Sequence, residues 1–125
     1  MPKTTLSETQ EQICLIKWTQ QPSIRQIYPE LKFLFHVPNE RSDKVQASIL
    51  KKMGVKPGVP DLILPVPAGR YHGLFIEMKK IGGVASDDQI WWLEHLQANG
   101  YATAVCYGWQ KATEVLTWYL NLNRA

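Results

Sequence analysis

The stretch Val55-Lys-Pro-Gly-Val-Pro-Asp-Leu-Ile-Leu-Pro-Val66, followed after a short turn by Gly73-Leu-Phe-Ile-Glu-Met-Lys-Lys80, decides how this chain folds. The two prolines and one glycine of residues 55–60 exclude both a helix and a central strand there. Residues 61–66 then read as an apolar strand, 67–72 as a turn, and 73–80 as the returning strand of a hairpin. Alternate residues of a strand share a side, so Phe75, Glu77 and Lys79 are expected on one face and Leu74, Ile76 and Met78 on the other. A carboxylate and an ammonium in an apolar strand cost desolvation energy unless they are paired or coordinated. A strand-end ion pair would satisfy Glu77 and Lys79 alone. Asp61, however, begins the partner strand and can lie across the hairpin from Glu77, which brings two carboxylates together. Taken by itself, Asp61 also suits a turn or a cap.

Outward from the hairpin, the elements follow from caps and periodicity. Ser7 with Gln10 forms a capping box for a helix whose apolar side holds Ile13, Leu15, Ile16 and Trp18, ended by Pro22. Residues 31–37 read as a strand closed by Pro38. Ser42 opens a second helix through Val45, Ile49 and Leu50 to a stop at Gly54. Ser86 with Gln89 makes a second capping box, leading a helix through Trp92, Leu93 and Leu96 to Gly100. Residues 101–107 form a further apolar strand and 112–122 a final helix. The order helix, strand, helix, strand, strand, helix, strand, helix predicts an α/β fold, a mixed sheet flanked by helices.

A length of 125 residues suits one domain, residues 1–125, with its core over about 7–122. A composition of 45% hydrophobic, 20% charged and 10% aromatic residues excludes a disordered chain. The net charge of +3 is compatible with a polyanionic partner. Its distribution is more informative. Lys51, Lys52 and Lys56 precede the loop to Asp61, and Lys79 and Lys80 close the strand of Glu77, so both runs converge on one region; a solvated helix face explains the first run equally well. Cys14 and Cys106 form neither a disulfide framework nor a zinc motif. The opening Met-Pro-Lys-Thr-Thr lacks the apolar core of a signal peptide, and no apolar run approaches the roughly 18 residues of a membrane span. A cytoplasmic, reducing home is expected.

Pro60-Asp61 followed, after fifteen intervening residues, by Glu77-Met78-Lys79 resembles the PD-(D/E)XK signature of the restriction-endonuclease-like nucleases. The longer pattern is more specific. Gly58-Val-Pro-Asp61, an apolar strand, Phe75-Ile-Glu-Met-Lys79, Gly82-Gly83, Ser86 to Gln89, Trp92-Leu93, Leu96 and Gly100 resemble the virus-type replication-repair nuclease (VRR-NUC) domain. The resemblance covers residues 7–122 and is similar to stand-alone phage members. It implies a restriction-endonuclease-like fold, an endodeoxyribonuclease dependent on Mg2+ or Mn2+, and a third acidic ligand on the first helix. Carboxylates, a backbone carbonyl and water suit such hard cations.

The ligand set implied is Asp61, Glu77, the backbone carbonyl of Met78 and one carboxylate of the first helix, with Lys79 assisting the attacking water. Glu11 is preferred over Glu8, since it shares a helix side with Cys14, Leu15 and Trp18; Glu8, in the first turn, is favoured by the helix dipole alone. Gln89 matches a glutamine the family places near its metal, and is equally the third residue of a capping box. His36-Val-Pro-Asn39 occupies the place of a polar pair in the family; Asn39 could approach DNA, while His36 reads as a hydrogen-bonded loop histidine and His72 as a turn residue. Arg41, Lys44, Lys56, Arg70 and Lys80 are candidate phosphate contacts, or plain surface charges. Trp91 and Trp92 cannot both face inward, so one is available for base stacking or a subunit contact. The favoured partner is branched DNA such as a four-way (Holliday) junction, cut by a homodimer whose two-fold axis matches two equivalent strands; for a phage protein the compartment is the host cytoplasm. The alternatives are a flap, nick or linear-duplex nuclease, or a DNA-binding module without catalysis.

Overall fold

The computed structural model describes residues 5–38 and 44–124. Both serine capping boxes form. In the first, the Gln10 N–H donates to Ser7 Oγ (3.2 Å) and the Ser7 N–H to Gln10 Oε1 (2.9 Å), starting α1 (Glu8–Gln20). Pro22 then opens a short additional helix, α2 (Pro22–Ile27), as a first-turn proline can.

The strand expected at 31–37 shrinks to β1 (Phe35–His36), because Pro29–Phe33 winds into a 3-10 turn. Leu31 and Leu34, three apart, turn inward while Phe33 and Phe35 stay half exposed, which is a helical rather than an alternating burial. A helix follows as α3 (Lys44–Lys52); Ser42, its expected cap, lies outside the described residues.

The hairpin forms as read, with both arms shorter: β2 (Leu62–Leu64) pairs antiparallel with β3 (Leu74–Lys79). The second capping box starts α4 (Asp87–Ala98), which crosses over to β4 (Ala102–Tyr107), parallel to β3. The last helix, α5 (Trp109–Leu120), begins three residues before the expected start, for a reason given below.

The four strands form one mixed sheet in the order β1-β2-β3-β4, with β1 antiparallel to β2. This is the mixed α/β architecture the sequence implies. Leu74, Ile76 and Met78 of β3 join Leu62, Leu64, Leu15 of α1 and Leu116 and Tyr119 of α5 in one buried cluster, so α1 and α5 cover that face. The opposite face, carrying Phe75 and Glu77, meets α4. Among the described residues no helix is long and apolar enough to cross a membrane.

The loop before β2 is pinned against α4. Gly58 adopts φ +83°, and a Cβ there would stand 2.6 Å from the backbone carbon of Asp88. Trp92 Nε1 donates to the Pro57 carbonyl at 3.0 Å, one residue away. Gly58→Ala combines a left-handed backbone with this overlap, so a loss of about 1–3 kcal/mol is expected in urea unfolding.

Candidate active site

The β2–β3 register brings the acidic pair together. Leu62 is opposite Ile76, so one residue further back Asp61 is opposite Glu77. The Asp61 carbonyl accepts the Val37 N–H at 2.8 Å, so its main chain faces β1. Asp61 and Glu77 therefore oppose each other without a shared ladder bond, the closer kind of antiparallel pair. β3 continues past the end of β2 through Glu77, Met78 and Lys79, which only β4 supports.

Each side chain here is held. The Met78 N–H donates to Asp61 Oδ2 at 2.8 Å, and Gln89 Nε2 to Glu77 Oε2 at 3.1 Å. Gln89 Oε1 meanwhile accepts the Ser86 N–H, so the capping role and the contact with Glu77 are filled together. Lys79 Nζ lies 3.7 Å from Glu77 Oε2 and 3.9 Å from Glu8 Oε2. Both Glu77 and Lys79 are buried. A cavity of about 220 Å3 opens beside them, bordered by Glu8, Gln12, His36, Asp61 and Met78.

Glu77 is the strained member. Burial, then hydrogen bonding to and the charge of Asp61, push its carboxyl up from 4.5 to about 9, against the pull of Lys79. Its Oε1 is buried with no hydrogen-bond donor. Two carboxylates within bonding range are both acceptors when ionised, so only a shared proton or a cation can join them. An orphaned carboxylate oxygen beside a second carboxylate fits a hard divalent cation. Among the described residues no three His, Cys, Asp or Glu side chains gather as a metal cluster. Asp61 and Glu77 could hold the ion only with main-chain oxygen or water completing its shell.

The two helix carboxylates take different places. Glu11 is buried on the core side, as its helical phase requires, but Oε1 accepts the Trp109 N–H at 3.0 Å. It caps α5, whose own residue at the cap, Gly108, has no side chain to do so, and this anion starts α5 early. Of the two, it is Glu8 that borders the cavity and reaches Lys79, and Glu8 is among the charges acting on Glu77.

Other expected contacts divide by position. Lys80 directly follows β3, and Lys56 precedes Asp61 in the exposed part of the loop, both on the site's end of the hairpin. Lys44 is exposed on α3. Arg70 sits at the opposite end of the hairpin, its guanidinium 5.3 Å from the Tyr71 ring centre, and does not join the site. Asn39 and Arg41 lie outside the described residues. His36, read only as a loop histidine, has Nδ1 3.1 Å from the Asp61 carbonyl and borders the cavity. Its cue was the position of residue 36 at the end of a strand beside Asp61's own. Trp91 is the half-exposed member of its pair, stacked on His95 at 4.0 Å.

The family model of the VRR-NUC domain matches residues 6–110. A solved structure described as a VRR_NUC domain protein superposes with a TM-score of 0.79 at 34% identity, over 95% of this chain and 92% of the other. No curated protein matches the chain.

A carboxyl raised in the fold contributes stability below its unfolded value and loses it as pH climbs to the folded one. With chelator present, the wild type should lose stability relative to Glu77→Gln as pH rises from 4.5 to about 9; thermal melts across that range measure this. Glu11→Ala, which strips a buried donor of its charged acceptor, should lower the urea unfolding free energy by about 1–3 kcal/mol.

Proposed function

The chain belongs to the VRR-NUC family of nucleases, and from that premise we propose that it hydrolyses DNA phosphodiesters with a divalent cation, Mg2+ or Mn2+, between Asp61 and Glu77. The observation that carries this reading is the carboxylate pair whose buried member, Glu77, has one oxygen lacking a donor, beside a buried lysine. Such an arrangement is costly in a protein that has no ion to bind.

Asp61, Glu77 and the Met78 carbonyl would hold the ion, with water completing its shell; Glu8, at the cavity edge, pairs with Lys79. When bound, it supplies Lewis-acid stabilisation of charge on the phosphoryl oxygens. Lys79 holds the attacking water and offsets negative charge near the phosphorus. Gln89 fixes the rotamer of Glu77, and the Met78 N–H fixes that of Asp61. His36, its Nδ1 committed to a carbonyl acceptor, keeps Nε2 for the cavity side or solvent. Lys44, Lys56 and Lys80 contact backbone phosphates. The free Cys14 and Cys106 suit a reducing compartment such as the cytoplasm.

The specific form we propose is a homodimer that cuts branched DNA such as a four-way junction. Its support is the resemblance to stand-alone viral members, together with the match between a two-fold protein and two equivalent strands.

On matched junction, flap, nicked and linear substrates, cleavage should need Mg2+ or Mn2+ and be fastest on the junction. Asp61→Ala should abolish cleavage and retain DNA binding, and Lys79→Ala should slow it about 10²- to 10³-fold. Metal-independent cleavage, or full activity in Asp61→Ala, would exclude this reading; sedimentation tests the dimer separately.

A further inference from the structure

β2 begins at Leu62, whereas β3 runs on to Lys79, so Glu77, Met78 and Lys79 overhang the end of their antiparallel partner. On the far side β4 pairs with all three, through Val105, Cys106 and Tyr107. Main-chain groups of a strand face its two neighbours alternately, N–H and C=O of one residue toward the same side. The Lys79 carbonyl accepts the Gly108 N–H at 2.9 Å, so Lys79 faces β4; the Met78 N–H meets Asp61 Oδ2, so Met78 faces β2. Of the overhanging residues, Met78 alone thus turns its main-chain groups toward Asp61 and the cavity.

Continuing the register two residues back from the Leu62–Ile76 pair sets Pro60 opposite Met78. In an antiparallel pair of this phase, each residue gives its N–H to the other's carbonyl. Proline has none to give. We propose that Pro60, through its missing N–H, is a positioning residue that keeps the Met78 carbonyl outside the ladder and open to the cation; the inference rests on the metal reading above.

Any other residue at position 60 would offer an N–H to that carbonyl at ladder distance, about 2.9 Å. That bond would draw the Met78 carbonyl into the sheet and away from an ion. Pro60 is fully buried, directly beside Asp61, so the strand end it creates is fixed by packing.

The experiment is calorimetric titration of the chelator-treated full chain with Mn2+. Pro60→Ala should bind about fivefold or more weakly, the weight of one competing hydrogen bond. Replacing residue 60 by lactic acid through nonsense suppression gives an ester without the N–H, and should stay within about twofold of wild type. Pro60→Val carries the same N–H with a fuller side chain, should Pro60→Ala fail to fold. Wild-type affinity in the alanine or valine variant, with Asp61→Ala unable to bind, overturns this inference and leaves the metal reading intact. Equal weakening by the ester and the amide variants also overturns it, since the ring's shape would then be the cause. Wild type binding no better than Asp61→Ala overturns both.

Discussion

Two carboxylates that no hydrogen bond joins once both are ionised, Asp61 and Glu77, set the terms for everything around them. The sheet register opposes them, and the core beneath buries one of them. Burial, then the hydrogen bonding and charge of Asp61, push the Glu77 carboxyl up to about 9. Lys79 and Gln89 offset only part of that cost. A buried carboxylate oxygen left without a donor is the kind of local instability that functional centres retain.

The supports are residues already engaged elsewhere. Gln89 closes a capping box with one end of its amide and clamps Glu77 with the other. Asp61 uses its carbonyl to anchor Val37 and His36 and its carboxylate to hold Met78. Ser7 caps α1, and the first residue of that helix is Glu8, carried toward Lys79. Each acidic or polar group is thus fixed by backbone geometry as well as by neighbours, which is what precise positioning at a reactive centre requires.

The hairpin and its charges were legible because a period of two and a Pro/Gly loop leave few choices for residues 55–80. Both serine caps were legible because Ser and Gln three apart satisfy each other locally. Residues 31–37 were not, since a short apolar run suits a strand or a tight helical turn equally, and Pro29 with tertiary packing of Leu31 decided between them. Glu11 shows a different limit. Helical phase correctly turned it inward, yet phase says nothing about where along its axis a helix meets the sheet. That alignment set Glu8 at the strand end and Glu11 against α5.

The Glu11 bond to Trp109 spans 98 positions of sequence. It ties α1, and with it Glu8, to α5, the helix that follows the last strand of the sheet. A nascent chain from which α5 has yet to emerge has the hairpin but no α5 for α1 to dock against. Such non-local closure is slow to form and waits for both partners to be made. A product cut short before α5 would carry Glu8, Asp61 and Glu77 without the contact that seats α1 against the rest of the fold.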